Sequence, residues 1–314
     1  MLTAAPPPSE LRVLGDWGTT RLRLLLVDDH QVLDQRDGPG IGALTRAPAD
    51  VLAELIGPWS GGASLRVVLA GMAGSRNGLI ETPYAPTPAD RRTWCRAASD
   101  LALNNLNITV AAGLRHDGED VSDVMRGEEN QVYGALHLTP ALREGSHLLV
   151  LPGTHCKWVE VRDGAIICFH TALTGELYAL LRDHSILLRT GAAPEHSQSD
   201  ADAGFSVGLT RTTESGTGLV VNAFEARTAQ LLHGRSRAWA SGFLSGLVIG
   251  EELAGMADRY CVARGVTLIG DPQLTTPYAS AFAQLGIHTS TLDGTACALQ
   301  GLRCLHEFAE GRIS

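Results

Sequence analysis

Lysine is almost absent from this chain of 314 residues, which has 24 arginines and a single lysine, Lys157. A P-loop needs a lysine directly after glycine, and Lys157 follows Cys156, so the sequence excludes a Walker A motif. No H-E-x-x-H run occurs either, which argues against a zinc protease. Because arginine fills every other cationic position, we interpret Lys157 as part of a site that needs a compact ammonium group.

Long apolar runs, paired cysteines and excess positive charge are also missing. No apolar run reaches the roughly 18 to 20 residues that span a bilayer, and the net charge of −9 argues against a nucleic-acid or anionic-membrane surface. The six cysteines form no C-x-x-C pair, so we expect reduced thiols. The segment Met1–Ser9 lacks the features of a secretory signal and is expected to be a frayed tail. These absences favour a cytoplasmic protein that acts on small molecules.

The length and the order of the patterns predict an α/β protein with two lobes and a cleft between them. Each half opens with a strand, a Gly-Thr turn and a returning strand, and then adds helices and further strands. We place the boundary near Ala141, which gives domains 1–140 and 141–314. Further patterns predict helices, a hairpin turn and a late strand: helices over Ala49–Ile56, Asp90–Leu103 and Gly127–Leu138, a turn at Asp163-Gly164, and a strand over Val266–Ile269.

The strongest motif is DWGTTRLR, in which a strand ends in a glycine turn. Gly18 lets the backbone approach a polyphosphate closely, while Thr19 and Thr20 offer amide and hydroxyl donors. Arg23 can add a charge-assisted contact to the same nucleotide. Asp16 suits a Mg²⁺ ion held through water, because this ion binds few carboxylates and keeps much of its hydration. A plain hairpin with a turn aspartate is the structural alternative.

A second turn of the same kind occurs in LPGTHCKW. Gly153 and Thr154 again follow an apolar strand, and the chain again returns as a strand. One such turn is a weak signal, but two at equivalent places predict a pair of clamps on one nucleotide. Lys157 and His155 are the cations that would face phosphate or a substrate carboxylate.

These turns carry a family resemblance. The pattern Asp-x-Gly-Thr-Thr-x-x-Arg resembles the phosphate-one turn of the glycerol-kinase and hexokinase superfamily. The runs LAGMAGS, DVMRGEENQ, LPGTHCKWVEV, TALTGELYALLRDHS and SGFLSGLVIG together resemble the 2-dehydro-3-deoxygalactonokinase family over nearly the whole chain. The resemblance implies an actin-like ATPase fold of two ribonuclease-H-like lobes with an active-site cleft between them. It also implies transfer of the γ-phosphoryl group of ATP to the 6-hydroxyl of 2-dehydro-3-deoxy-D-galactonate.

Phosphoryl transfer also needs an acceptor for the proton of the substrate hydroxyl. The segment Gly127 to Gln131 resembles the Gly-Asp-Gln-Gln segment of glycerol kinase, which implies that Glu128 occupies the place of the catalytic aspartate. Glutamate is one methylene longer, and Asp123 and Glu129 are nearby alternatives. All three acids could instead simply favour the positive N-terminus of a helix.

A sugar-acid substrate carries a carboxylate, which calls for a cation. Arg126 is the first candidate and Arg76, in the Gly-rich run AGMAGSRNG, is the second. The run GPGIG, Gly38 to Gly42, is predicted to cover the substrate. Glu176 is predicted to bind sugar hydroxyls or, alternatively, to cap a helix.

The strand over Val266–Ile269 leads into Gly270 and Asp271, which resemble the adenosine turn of the superfamily. Gly246, in the run SGFLSGLVIG, is interpreted as a packing position between helices. Two other functions stay open: a kinase of another sugar acid or polyol, and a non-catalytic nucleotide- or sugar-binding member of the fold. A homodimer is also open.

Overall fold

The structure is a computed structural model that describes residues 11–29, 31–118, 121–189, 197–214 and 217–311, so the predicted tail lies outside the described residues. The internal contacts divide the chain into two compact units. Unit 1 is formed by the described residues of Met1–Gly145, Arg162–Cys168 and Gly294–Ser314. Unit 2 is formed by those of Ser146–Val161 and Phe169–Asp293.

Strands and helices alternate along the chain, which confirms the α/β prediction. The strands are β1 (Arg12–Trp17), β2 (Arg21–Val27), β3 (Val32–Pro39), β4 (Leu65–Gly71), β5 (Tyr84–Pro86), β6 (Ser99–Leu103), β7 (Leu106–Val110), β8 (Gly113–Asp117), β9 (Ser122–Met125), β10 (Ser146–Leu151), β11 (Cys156–Arg162), β12 (Ala165–Ala172), β13 (Val266–Gly270) and β14 (Thr289–Asp293). The helices are α1 (Pro48–Ser60), α2 (Arg91–Arg96), α3 (Glu128–Leu138), α4 (Thr174–His184), α5 (Gln198–Glu214), α6 (Leu219–Asn222), α7 (Glu225–His233), α8 (Arg237–Ala257), α9 (Pro272–Gln284) and α10 (Gly294–Ala309).

The larger sheet of unit 1 has the strand order β3-β2-β1-β4-β7-β6. The first three strands along the chain pair antiparallel, whereas β4 runs parallel to β1 and β7 runs parallel to β4. Its core is built from alternate apolar side chains, including Val13, Leu24, Leu69 and Ile108. The carboxyl ends of β1, β4 and β7 therefore meet at one edge, where α/β sheets bind ligands.

The five-stranded sheet has the order β12-β11-β10-β13-β14, in which β13 is parallel to β10 and β14 is parallel to β13. Three strands consecutive in the chain are again followed by two parallel strands. The repeat that the sequence predicts is therefore confirmed in the strand order. Asp163 and Gly164, both with positive φ (49° and 78°), form the predicted hairpin turn between β11 and β12.

Glycines let pairs of helices cross closely within each unit. A side chain at Gly246 on α8 would overlap the carbonyl oxygen of Phe205 on α5, which confirms the packing role of Gly246. In unit 1, a side chain at Gly134 on α3 would overlap the carbonyl oxygen of Cys297 on α10. This crossing explains why Gly294–Ser314 groups with unit 1, although the sequence placed it in the domain 141–314.

The predicted helix over Asp90–Leu103 is wrong in its second half. Asp90 does cap a helix, since its carboxylate accepts the N–H of Thr93 at 2.7 Å, but α2 ends at Arg96. The next residues form β6, which pairs antiparallel with β7 through a turn at Asn104 (φ 53°). Alternating burial along β6 is the strand signal that the helical interpretation missed.

Every helix among the described residues is too short or too polar to cross a membrane.

Candidate active site

The first Gly-Thr turn joins β1 to β2. The N–H of Gly18 donates to the carbonyl oxygen of Arg21 at 2.8 Å and closes the turn. Thr19 and Thr20 are exposed, and within the described ranges no hydrogen bond occupies their backbone N–H groups or their hydroxyls. The turn therefore presents several donors to solvent, an arrangement that binds phosphate.

The GPGIG run, which begins in the last two residues of β3, supports this turn. The N–H of Ile41 donates to the carbonyl oxygen of Gly18 (3.1 Å), and the N–H of Gly42 donates to that of Thr19 (2.9 Å). A side chain at Gly40 would overlap the same carbonyl of Thr19. The sequence predicts a cover for the substrate here, but these contacts hold the carbonyl side of the turn in place.

Asp16 lies near the carboxyl end of β1, with Arg23 as its antiparallel neighbour on β2. Burial, together with the negative charge of Glu128, raises the pKa of Asp16 to about 6, while the charge of Arg23 opposes this shift. Arg23 is itself held by the hydroxyl of Thr295, at the start of α10, at 2.6 Å. Asp16 and Glu128 thus form a pair of acids whose combined charge a cation would stabilise.

Two glycines, Gly71 and Gly127, allow the backbone segments next to Asp16 and Glu128 to pack closely together. Gly71 has φ of +80°, and a Cβ atom there would lie 2.7 Å from the carbonyl oxygen of Trp17 and 3.3 Å from Oδ1 of Asp16. Gly127 has φ of +114°, and its Cβ would lie 3.2 Å from Cα of Gly71. Both positions therefore require glycine. The sequence predicts a break at Gly71 after a buried strand, but it does not reveal the close approach of Gly71 to Trp17 and Asp16.

Glu128 begins α3, and its carboxylate accepts the backbone N–H of Arg126 at 3.1 Å. Glu129 is fully buried, and both of its carboxylate oxygens accept the N–H of Gly127, at 2.9 and 2.8 Å. Burial, reinforced by the charge of Glu128, raises the pKa of Glu129 to about 8. Glu129 is thus a structural acid, whereas half-buried Glu128 is accessible to a substrate.

Asp123 lies on β9, in the small sheet β5-β8-β9, opposite His116. Its carboxylate accepts the backbone N–H of Val124 at 2.7 Å. The charges that act on Asp16 come from Glu128 and Arg23 rather than from Asp123. The structure therefore favours Glu128 over Asp123 as the acid beside Asp16.

Arg126 is anchored by neighbours within unit 1. Its guanidinium donates to the hydroxyl and, at 2.9 Å, to the carbonyl oxygen of Thr82, and its Nε donates to the hydroxyl of Tyr84 at 3.3 Å. The guanidinium carbon also lies 4.2 Å from the centroid of the Tyr84 ring. Arginine has five N–H donors, so these three bonds orient the group and leave N–H groups for a carboxylate.

Arg76 is exposed in the turn after β4. In the part of the chain that the structure describes, its guanidinium has no hydrogen bond or ion pair. It lies two residues after Gly74, where a Cβ atom would lie 2.7 Å from the guanidinium of Arg126. Both predicted carboxylate binders are therefore associated with this glycine-rich turn.

The second Gly-Thr turn joins β10 to β11 and has the same construction. The N–H of Glu176 donates to the carbonyl oxygen of Thr154 at 2.9 Å, and a side chain at Gly175 would overlap the carbonyl oxygen of Gly153. Thr154 is exposed, and no hydrogen bond among the described residues occupies its N–H or its hydroxyl. The start of α4 thus supports the turn while amide and hydroxyl donors stay available.

The two cations predicted beside this turn differ in exposure: His155 is exposed, whereas Lys157 is buried. His155 is exposed, and its Nε2 lies 2.6 Å from a carboxylate oxygen of Glu176, so the structure brings these two predicted substrate binders together. Lys157 is only 4% exposed, and its Nζ donates to the hydroxyl of Thr171 on β12 at 2.9 Å. Its ammonium is therefore held inside unit 2.

Gly270 and Asp271 end β13 and start α9. The carboxylate of Asp271 caps the helix by accepting the N–H of Gln273 at 2.8 Å. A Cβ atom at Gly270 would lie 3.3 Å from Cγ2 of Thr275 and 3.7 Å from the carbonyl oxygen of Pro152. The predicted adenosine turn is therefore adjacent to the second Gly-Thr turn within unit 2.

No group of three or more His, Cys, Asp or Glu side chains among the described residues is arranged to hold a metal ion. The pair of Asp16 and Glu128 nevertheless fits Mg²⁺, because this ion takes one or two carboxylates and completes its shell with water and substrate phosphates. Burial first, and then the charge of Glu128, raise the pKa of Asp16, and a bound cation would stabilise its ionised form.

Comparisons of the sequence with a family model and with known proteins identify the same family. The sequence model of the family described as 2-keto-3-deoxy-galactonokinase matches residues 16–305. The 2-dehydro-3-deoxygalactonokinase of Escherichia coli (strain K12) is 36% identical over 292 residues, which cover 92% of this chain and 95% of that protein. The matched region thus includes both Gly-Thr turns.

Solved structures agree with this assignment. A crystal structure from Sinorhizobium meliloti, assigned as a 2-dehydro-3-deoxygalactonokinase, has a TM-score of 0.85 and 32% identity and covers 95% of this chain and 99% of its own. Component A of (R)-2-hydroxyglutaryl-CoA dehydratase from Acidaminococcus fermentans has a TM-score of 0.52 at 13% identity, covers 97% and 100% of the two chains, and shares the fold alone. The fold is the actin-like ATPase fold. The chain belongs to the 2-keto-3-deoxy-galactonokinase family.

Proposed function

We propose that the protein transfers the γ-phosphoryl group of ATP to the 6-hydroxyl of 2-dehydro-3-deoxy-D-galactonate, giving the 6-phosphate and ADP. The activity for which the Escherichia coli relative is named, together with the family match, supports the sugar-acid substrate. The observation that carries the proposal is the presence of two Gly-Thr turns, each held by its carbonyls and each with available N–H and hydroxyl donors. Such donors bind the oxygens of a polyphosphate without moving during the reaction.

Unit 1 supplies the acids of the proposed reaction. Gly18, Thr19 and Thr20 hold phosphate oxygens, and Arg23 adds positive charge. Asp16 holds Mg²⁺, which would neutralise charge on the phosphates of bound ATP. Unit 1 contains the proposed domain 1–140 together with residues 141–145, Arg162–Cys168 and Gly294–Ser314.

Glu128 acts as the general base in this proposal. It accepts the proton of the 6-hydroxyl as the substrate oxygen bonds to the γ-phosphorus and the bond to the ADP oxygen breaks. Its hydrogen bond with the N–H of Arg126 orients the carboxylate. The side chain of Arg126, held by Thr82 and Tyr84, and the exposed Arg76 bind the carboxylate of the sugar acid.

Unit 2 supplies further nucleotide contacts in the proposed reaction. Gly153 and Thr154 bind phosphate, and Gly270 with Asp271 bind adenosine through the N-terminus of α9. Lys157 contributes its charge from inside the unit. His155 and Glu176, paired at 2.6 Å, bind hydroxyl groups of the sugar acid.

Glu128→Gln tests the catalytic role directly. The amide keeps the size of the side chain but is a very poor proton acceptor, so we expect turnover to fall by about two orders of magnitude or more while ATP binding is retained. Steady-state ADP release and calorimetry with a non-hydrolysable ATP analogue measure the two effects. Asp123→Asn is the matched control and should retain most of its turnover; the reverse order of the two variants would transfer the role to Asp123.

A panel of sugar acids and polyols tests the substrate. We expect 2-dehydro-3-deoxy-D-galactonate to give the highest kcat/KM, because differences in a few binding side chains decide such selectivity. Equal turnover of glycerol or gluconate would overturn the substrate assignment. ATP binding with no transfer to any acceptor would identify a non-catalytic member of the fold.

A further inference from the structure

A carboxyl group lies buried in unit 2, outside the residues assigned to the reaction. Glu252 on α8 is 7% exposed and accepts hydrogen bonds from three neutral donors. Nε1 of Trp158 donates to Oε1 at 2.5 Å, and the hydroxyl of Tyr278 donates to Oε2 at 2.5 Å. The hydroxyl of Thr174 also donates to Oε2. Every oxygen of this carboxyl group therefore has a partner.

The three donors belong to segments that carry the nucleotide turns. Thr174 is the first residue of α4, directly before Gly175, whose backbone packs on the carbonyl of Gly153. Trp158 lies on β11, the strand that leaves the same turn. Tyr278 lies on α9, the helix that Asp271 caps. Glu252 thus contacts the segments around the second Gly-Thr turn and around the Gly270-Asp271 turn.

Because Glu252 is buried, its carboxyl group and the three donors must keep their positions to remain hydrogen-bonded. Loss of a buried hydrogen bond destabilises the fold, because no water molecule can replace the missing donor or acceptor. The negative charge of Glu252 is also felt by the buried thiol of Cys156, where burial first and then this charge raise the pKa. The carboxyl group therefore fixes α4, β11 and α9 in one arrangement.

We infer that Glu252 is a positioning residue, which holds the second Gly-Thr turn and the Gly270-Asp271 turn in the mutual geometry that one ATP molecule requires. The close approach of the two turns supports this, since a Cβ atom added at Gly270 would lie 3.7 Å from the carbonyl oxygen of Pro152. A shift of either segment would misplace its donors relative to the nucleotide. The inference rests on the proposed function, in which both turns contact ATP.

Three variants test the inference. Glu252→Gln keeps the volume but supplies one acceptor oxygen in place of two, while Thr174→Val and Tyr278→Phe each remove one donor and keep the carboxyl group. We expect the Kd of an ATP analogue to rise on the order of tenfold in Glu252→Gln and several-fold in each of the others, the usual size of coupling through a shared element. The KM for the sugar acid should change less than the Kd of the analogue, because the proposed binders of its carboxylate, Arg126 and Arg76, lie in unit 1.

Tyr260→Phe is the matched control. Tyr260 is as buried as Tyr278, at 6% against 5%, and its hydroxyl donates to the backbone of Trp158 at 3.1 Å, but it lies outside both turns. We expect this variant to lower thermal stability and to leave the Kd of the ATP analogue unchanged. A purely structural role for Glu252 would give the same result for all four variants.

The outcomes separate the inference from the proposed function. If the natural protein fails to bind the ATP analogue, the proposed function fails and the inference fails with it. If the natural protein binds and all three variants bind equally well, the inference alone is overturned. If Glu252→Gln does not fold, Thr174→Val and Tyr278→Phe decide: weaker binding supports the inference, and unchanged binding overturns it.

Discussion

Gly18-Thr19 in unit 1 and Gly153-Thr154 in unit 2 each follow a buried strand, and each turn has its carbonyls held by a neighbouring segment. The GPGIG run holds the first turn, and the start of α4 holds the second. The residue two positions before the glycine differs, because Asp16 in the first turn corresponds to Leu151 in the second. The backbone design is repeated, but only one copy carries an acid at this position.

This difference separates phosphate binding, which both turns can perform, from the role of the carboxylates, which only the first turn has nearby. Backbone donors bind phosphate oxygens and need no charged side chain, so both turns can do this. Asp16 and Glu128 add a pair of interacting carboxylates, which suits an ion and a proton acceptor. We therefore expect substitutions beside the first turn to lower turnover. Substitutions in either turn should weaken nucleotide binding.

Asp16→Asn should give the largest effect. Loss of the carboxylate removes the proposed contact to Mg²⁺, and we expect turnover to fall by about 10³-fold, the scale of a lost electrostatic contact in a transition state. Steady-state ADP release measures this change. Asp34→Asn, an exposed acid on β3 of the same sheet, should leave turnover within about twofold. If Asp16→Asn kept its turnover, the acid beside the first turn would have no role in the reaction, and the two turns would not differ in function.

Alanine substitutions at paired glycines sharpen the comparison. A Cβ atom would lie 3.5 Å from its nearest neighbour at Gly18 and 3.8 Å at Gly153, and neither φ is positive. Gly18→Ala and Gly153→Ala should therefore fold normally and weaken ATP binding about tenfold, because the methyl group occupies the approach of the phosphates. Calorimetry and thermal unfolding measure the two quantities.

Gly40 and Gly175, which support the two turns, provide the contrast. A side chain at either would overlap a backbone carbonyl oxygen, so Gly40→Ala and Gly175→Ala should lower Tm. If Gly18→Ala and Gly153→Ala lowered Tm equally and left affinity intact, the glycines would serve the fold alone.

The smallest predicted effect concerns stability without ligands. The pKa of Asp16 is raised from 3.8 to about 6, so its deprotonation opposes folding as pH rises from about 4 to 6. At pH 8, Asp16→Asn should therefore be more stable than the natural protein, by about 1 to 3 kcal/mol. At pH 4 the two should be equally stable.

Urea unfolding at both pH values measures this difference. Leu151→Asn, at the equivalent position of the second turn, should show no stabilisation that depends on pH. A gain for Asp16→Asn that is the same at pH 4 and pH 8 would show that the charge of Asp16 is not its cause.

Much of the frame could be predicted from the sequence. Both Gly-Thr turns, the strands around them, the hairpin at Asp163 and the start of α3 carry local signals of apolar alternation and turn residues. The small sheet β5-β8-β9 was missed because its strands are three to five residues long. The contact of the GPGIG run with a turn some twenty residues earlier could not be predicted, and its role as a cover for the substrate stays a prediction.

The site was less predictable than the frame for the same reason. Gly71, Thr82 and Tyr84 reach Asp16 and Arg126 through folding, and no spacing rule in one sequence reveals such contacts. Glu252 directly follows Glu251 in α8, and the sequence does not indicate which of the two acids is buried. Three donors from distant segments identify it only in three dimensions.

The segment Gly294–Ser314, which completes unit 1, is synthesised after all of unit 2. Unit 1 contains α10, where Thr295 holds Arg23 and the backbone of Ala298 accepts the side-chain amide of Asn130 at 3.0 Å. The contacts of α10 with Arg23 and Asn130 therefore form only after the whole of unit 2 has been synthesised.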